Sequence, residues 1–76
     1  MDLDAIRCRV EEAIEGAEVT VTCDGYYVNV AAVSPLFEGM NAVKRQQMVY
    51  AGLSQMIADG SLHAVNIKTQ TPEEAL

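Results

Sequence analysis

Two β-strands joined by a tight turn are encoded in residues 18–33, which read EVTVTCDGYYVNVAAV. Glu18 to Cys23 and Tyr26 to Val33 alternate and are rich in β-branched residues, as expected of strands with one buried face. Asp24-Gly25 between them is the strongest short-range signal for a two-residue hairpin turn. The sequence therefore predicts an antiparallel hairpin with Asp24-Gly25 at its tip.

A helix is predicted on each side of this hairpin in the sequence. Residues 2–15 carry one apolar stripe at helical spacing, and Gly16 ends this first helix. After the hairpin, Ser34-Pro35 ends the second strand. Residues 41–59 form the longest predicted element, with Gly60 as its left-handed terminal residue. Its predicted buried face consists of Val43, Val49, Tyr50, Leu53, Met56 and Ile57, and the stripe of the first helix consists of Leu3, Ile6, Val10 and Ile14.

The C-terminal residues predict a third strand and a short final helix. Leu62 to Thr69 alternates, with Val65 and Ile67 facing the core and Asn66 and Lys68 facing out. Thr71-Pro72-Glu73-Glu74 has the pattern of a helix capping box with proline at the first helical position.

The predicted element order is α, β, β, α, β, α. A strand, helix and strand in succession normally return as a parallel pair through a right-handed crossover. The sequence therefore predicts one α+β domain over residues 1–76, with a three-stranded mixed sheet covered by helices on one face.

Size and charge argue against several classes of function. A chain of 76 residues buries only a thin core and leaves little room for an enclosed substrate pocket. The net charge of −6 repels phosphate backbones and disfavours nucleic-acid binding.

The N-terminus is acidic and no apolar run approaches the ~20 residues needed to cross a bilayer, so we expect a cytoplasmic protein. Thiols stay reduced in that compartment, so we expect that the two cysteines are not paired.

Cys23 and His63 are the candidate metal ligands. If the third strand runs parallel to the second, the start of the third strand lies at the hairpin end of the sheet, and both side chains belong to this rim. The two are then roughly 10 Å apart if one strand separates them, and a movable hairpin tip is needed to bring them together on one metal. The alternatives are a hydrogen-bonded core histidine and an ordinary thiol near a turn. Cys8 is expected on the polar face of the first helix, with no role in a site.

The predicted outward face of the long helix carries Lys44, Arg45 and Met48. Together with Lys68, these are the candidate contacts to an acidic partner or a phosphate group. Lys44, Arg45 and Lys68 are the only Lys or Arg residues after Arg9. The alternative is a solvated helix face with one stray apolar residue.

The ordered set Phe37, Gly39, Val49-Tyr50, His63-Ala64 and Thr71-Pro72 resembles the BolA family. The run Lys44-Arg45-Gln46-Gln47 is similar to its IbaG (YrbA) branch. The resemblance implies a fold similar to a class II KH domain.

The resemblance also implies a non-enzymatic partner of a monothiol glutaredoxin in iron–sulfur cluster trafficking or iron regulation. The pair would share a [2Fe–2S] cluster, with ligands from the glutaredoxin, glutathione, His63 and a hairpin residue, here Cys23. No cofactor is expected in the isolated chain, which is expected to be a monomer, with a homodimer as the alternative.

The alternative function is a nucleic-acid-binding transcriptional regulator that uses helix 41–59. The Gly-x-x-Gly clamp of KH domains is missing from the sequence, and Arg45-Gln46-Gln47 carries less charge than the Arg-His-Arg run of the other family branch. An enzyme is disfavoured because there is one histidine and no Ser-His-Asp set or phosphate-binding glycine loop.

Overall fold

The computed structural model describes residues 2–76 and has two helices and three strands. The elements are α1 (Leu3–Ala13), β1 (Glu18–Asp24), β2 (Tyr27–Val33), a 3₁₀ turn (Pro35–Phe37), α2 (Ala42–Ala58) and β3 (Val65–Gln70). Asp2 caps α1 by accepting a hydrogen bond from Ala5, and Asn41 caps α2 by accepting one from Lys44.

The sheet is mixed, as predicted, with β2 between β1 and β3. β1 pairs antiparallel with β2, and β3 pairs parallel with β2. Val28, Val30 and Ala32 of the central strand are buried on the face that packs against the helices. The other face carries mainly exposed polar side chains: Thr20, Thr22, Asn66 and Lys68.

The hairpin turn lies one residue later than predicted. Asp24 pairs with Tyr27, so the two turn residues are Gly25 and Tyr26. Gly25 has a φ of +60°, and no non-glycine residue of the described chain has a positive φ. A positive φ at only the first turn position is typical of a type II′ turn, which places glycine there rather than second. The Asp-Gly signal located the hairpin correctly but placed the two turn residues one position too early.

One core cluster joins α1, the sheet and α2. Ile6, Val10 and Ile14 of the predicted α1 stripe are buried, and Phe37 of the 3₁₀ turn is fully buried beneath the helices. Ser34 is also fully buried; its hydroxyl donates to the Glu15 carbonyl and accepts from the Leu36 N–H. These bonds join the end of α1 to the end of β2.

The predicted buried face of α2 was wrong for three residues. Val49 and Leu53 are buried, but Val43, Tyr50 and Ile57 are exposed. The residues that face the core follow a rotated stripe: Arg45, Met48, Val49, Gly52, Leu53 and Met56.

Gly52 gives the physical reason for the rotation. A Cβ atom there would lie 2.9 Å from Ala13 Cβ and 3.0 Å from the Arg9 carbonyl oxygen, so α1 lies directly on the glycine. The pattern of apolar residues alone did not reveal this contact, because glycine adds no apolar side chain to a helical wheel.

The last six residues form a turn rather than the predicted helix. The capping box itself is present: Thr71 N–H donates to the Glu74 carboxylate and Glu74 N–H donates to the Thr71 hydroxyl. Only one further backbone bond has α-helical spacing, from Ala75 N–H to the Thr71 carbonyl, and Leu76 N–H bonds to the Glu73 carbonyl three residues back. Within residues 2–76, no helix combines the length and apolarity that a membrane crossing requires.

Candidate functional site

The candidate site lies at the end of the sheet that carries the hairpin turn. We define the hairpin rim as residues 23–27 together with His63. Cys23 pairs with Val28 across the antiparallel side of β2, and the Ala64 carbonyl accepts a hydrogen bond from Val28 N–H on the parallel side at 2.9 Å. Cys23 and His63 therefore flank the start of β2, one on each side.

The strand register puts β2 between the two candidate ligands. With one strand between them and His63 two residues before the start of β3, strand geometry places their Cα atoms on the order of 12 Å apart. Binding to a common iron atom therefore requires movement of the hairpin tip toward His63.

Cys23 is exposed, and its thiol donates a hydrogen bond to the Gly25 carbonyl at 3.4 Å. Metals bind cysteine as the thiolate, which has no proton to donate. Metal binding at Cys23 would therefore break this bond inside the turn. The other thiol, Cys8, is exposed on α1, as predicted, and is not part of the rim.

His63 is exposed, which excludes the alternative of a buried core histidine. The prediction that His63 lies within a strand beginning at Leu62 was wrong. β3 begins at Val65, and Leu62 takes the buried position, with its N–H bonded to the Met56 carbonyl. The chain coming from α2 thus buries leucine and leaves the histidine accessible.

Sequence reasoning missed two aromatic side chains at the rim. Tyr26 is 70% exposed and Tyr27 is 51% exposed, and their rings meet edge to face with centroids 5.6 Å apart. Tyrosine is enriched among the residues that dominate protein interfaces. The two consecutive tyrosines after Gly25 could have predicted this exposed aromatic surface. Neighbouring residues of a strand point to opposite faces, so a strand with one buried face cannot bury both.

The rim alone is incomplete as a metal site. In the part of the chain that the structure describes, no group of three or more His, Cys, Asp or Glu residues is arranged to hold a metal ion. A [2Fe–2S] cluster takes four ligands, two on each iron. The donors present fit a cluster only as one part of a ligand set completed by another molecule.

Arg45 is a structural residue rather than an open contact, contrary to its predicted role. Its guanidinium makes a bidentate pair with the Glu74 carboxylate, the shorter contact measuring 2.7 Å, and also donates to the Met40 carbonyl. It lies 5.8 Å from the centroid of the buried Phe37 ring. Only 13% of this side chain is accessible.

The same contact lowers the pKa of Glu74. The main cause is the hydrogen bond from Arg45, followed by the one from the Thr71 backbone N–H. Both favour the ionised carboxylate. The contact fastens the C-terminal turn to the start of α2, and we call it the Arg45–Glu74 clamp.

The other predicted contact residues do not form one patch. Met48 was predicted to face outward, but it is partly buried and packs against the core. Lys44 is exposed on α2, whereas Lys68 is exposed on the sheet face that the helices leave uncovered. The four predicted contact residues therefore lie in three places. Lys44 is on the exposed side of α2, Arg45 and Met48 are on its core-facing side, and Lys68 is on the uncovered face of the sheet.

The described chain thus defines a class: a small α+β domain with a mixed three-stranded sheet, helices on one face and an exposed hairpin rim carrying a cysteine, a histidine and two tyrosines. The profile of the BolA-like protein family matches residues 10–74. The chain belongs to the BolA-like family.

Individual relatives agree with this assignment. The chain is 45% identical to the acid stress protein IbaG of Escherichia coli K12 over 74 residues, covering 97% of this chain and 88% of IbaG. The structure of BolA1 from Arabidopsis thaliana superposes with a TM-score of 0.79 at 34% identity, covering 95% of this chain and 93% of BolA1. The BolA domain of SufE1 from Arabidopsis thaliana gives a TM-score of 0.80 at 28% identity, covering 97% and 98%. The predicted likeness to the IbaG branch is confirmed.

Proposed function

We propose that this protein is a non-enzymatic adaptor that binds a monothiol glutaredoxin and shares a [2Fe–2S] cluster with it. The cluster is cargo of the complex, in iron–sulfur cluster trafficking or iron regulation. The observation that carries the proposal is the hairpin rim, where one imidazole and one thiol are exposed at the same end of the sheet. These two donors are half of the four that the cluster needs.

The ligand count supports a shared site. A glutaredoxin cysteine and the thiol of bound glutathione would supply two ligands, and His63 would supply the third from this chain. Cys23 is the fourth, once the hairpin tip moves and its hydrogen bond to the Gly25 carbonyl is released. The cost of this movement makes Cys23 the weaker and more exchangeable of the two ligands.

The tyrosines support a protein partner at the same place. Tyr26 and Tyr27 give the rim a large aromatic contact area beside the donors, which a partner that encloses the cluster can cover. The existence of a BolA domain within SufE1 supports the view that this fold works together with other protein modules. The family relationship also supports a non-enzymatic role.

The test is anaerobic cluster reconstitution of a monothiol glutaredoxin with glutathione, with and without this protein, followed by visible absorption and circular dichroism. We expect a heterodimer spectrum that differs from that of the glutaredoxin homodimer and is lost with His63→Ala. Cys23→Ala should alter the spectrum and speed up cluster loss. Cys8→Ala is the matched control, because it removes an exposed thiol of α1 that is not part of the rim.

Co-elution of the two proteins without iron provides a second, cluster-independent measurement. We expect Tyr27→Ala to weaken this association and His63→Ala to preserve it. The absence of both co-elution and a new spectrum would overturn the adaptor proposal. Salt-sensitive DNA binding by the same protein, lost with Lys44→Ala, would then favour the nucleic-acid alternative.

A further inference from the structure

α2 carries a second apolar stripe that the fold covers only in part. Val43, Tyr50 and Ile57 are 63%, 41% and 38% exposed, and each is seven residues from the next. Seven residues are close to two helical turns, so the three side chains lie in one line about 21 Å long. We call this line the outer row.

The outer row lies on a helix that carries no charge from Gln46 to Ala58. By contrast, 21% of the residues of the whole chain are charged. The exposed positions beside the row are occupied by amide, hydroxyl and methyl side chains: Gln46, Gln47, Ala51 and Ser54. An exposed helix face normally carries charges, and their depletion together with an aromatic residue is typical of the centre of a protein interface.

The outer row is symmetric about Tyr50. In an antiparallel pair of α2 helices related by a two-fold axis through Tyr50, each tyrosine meets its own copy. Val43 then faces Ile57 of the second copy, and Gln46 faces Ser54 of the second copy. Apolar groups meet apolar groups and an amide meets a hydroxyl, which is the self-complementarity that a two-fold interface requires.

We propose that a second copy of this chain docks on the outer row, forming an antiparallel α2–α2 homodimer. The side of α2 opposite the outer row packs against α1 through Gly52, so the dimer leaves the core intact. The dimer uses residues of α2, whereas the proposed cluster role uses residues of the hairpin rim, so the dimer does not rest on that role.

The size of the surface sets the strength of the dimer. One helix row buries less than the ~800 Å² per partner of a standard interface, so the dimer belongs to the weak, reversible class. We expect monomers and dimers to coexist at protein concentrations on the order of 0.1–1 mM.

The first test is sedimentation equilibrium of the full chain over this concentration range. The wild-type weight-average mass should rise toward twice the 8.2 kDa monomer, and Tyr50→Lys should keep the protein monomeric. Thr22→Lys adds the same charge on the uncovered sheet face and should dimerise like the wild type. Circular dichroism checks that both variants are folded.

A second test fixes the geometry by disulfide cross-linking in a Cys8→Ser, Cys23→Ser background under mild oxidant. Tyr50→Cys should cross-link to itself. Val43→Cys should cross-link poorly alone but readily when mixed with Ile57→Cys, because those positions meet only in the antiparallel pair.

Two results would overturn the proposal. The first is a wild-type monomer at every concentration, and the second is a dimer that persists in Tyr50→Lys. If the wild type is monomeric and Tyr50→Lys loses binding to glutaredoxin, the outer row belongs to that partner instead.

Discussion

The Arg45–Glu74 clamp and the hairpin rim both place polar side chains at the edge of the same core, but they use them differently. Arg45 is enclosed and bonded to Glu74 and the Met40 carbonyl. Cys23 makes one bond inside its own turn, and His63 is exposed. The difference indicates that the clamp serves folding, whereas the rim holds donors that folding does not require and that a partner can use.

Leu53→Ala should produce the largest effect, on the side of folding. The side chain is fully buried, and its removal leaves a cavity that costs about 2–5 kcal/mol of unfolding free energy. Ile57→Ala, four residues on and 38% exposed, is the matched control and should cost clearly less. Chemical denaturation measures both, and equal losses would show that the observed face of α2 is wrong.

Gly52→Ala should destabilise the protein although alanine favours helices. The helix propensity gain is about 1 kcal/mol, but the new Cβ would lie 2.9 Å from Ala13 Cβ and 3.0 Å from a backbone oxygen of α1. Overpacking of this kind costs about 1–3 kcal/mol, and we expect a net loss. Ser54→Ala, at an exposed position of the same helix, should be neutral or stabilising. A Gly52→Ala protein that melts above the wild type would contradict close packing of the helices.

Arg45→Met should lower stability by about 1–2 kcal/mol, since it removes charged hydrogen bonds and leaves the Met40 carbonyl without its donor. Thermal unfolding at neutral pH measures the loss. The rim should be unaffected, so binding to a glutaredoxin should persist. Loss of that binding in folded Arg45→Met would return Arg45 to the role of a partner contact.

The clamp also predicts a pH dependence. The folded-state pKa of Glu74 lies below its ordinary value of 4.5, so the ionised carboxylate stabilises the fold fully above that value. The contribution is lost as pH falls through the lower folded-state pKa. Asp59, whose pKa is lowered by hydrogen bonds from Ser61, contributes with the same sign. Glu74→Gln should therefore lose less stability than the wild type between neutral and acidic pH, and identical pH profiles would contradict the clamp.

Substitutions at the rim should have the smallest effect on stability. His63→Ala and Cys23→Ala remove exposed side chains and should change the unfolding free energy by less than about 0.5 kcal/mol. Thermal unfolding provides the check. A large loss would show that these residues hold the fold together.

Local sequence patterns predicted most of the fold. Strand alternation and the Asp24-Gly25 signal gave the hairpin, and the succession of strand, helix and strand gave the parallel return of β3. The buried stripe of α1 was also confirmed. These features depend on periodicity and on a few turn residues, which one sequence displays directly.

The errors arose where tertiary contacts decide between local alternatives. α2 has apolar residues on two sides, and the packing of α1 on Gly52 selects which side is buried. Arg45 resembles a free surface cation until Glu74, far away in the sequence, is placed beside it. The candidate ligands Cys23 and His63 were predicted at the correct end of the sheet. The exposure of His63 and of the two tyrosines could not be predicted, because it depends on the exact turn residues and on β3 beginning only at Val65.

The most direct test compares His63→Ala with Arg45→Met in two measurements on the same samples. These are thermal unfolding and formation of the heterodimer cluster with a monothiol glutaredoxin and glutathione. We predict that His63→Ala keeps the wild-type melting temperature and loses the heterodimer spectrum, whereas Arg45→Met melts earlier and, while folded, keeps the spectrum. A His63→Ala protein that forms the wild-type spectrum would contradict the account.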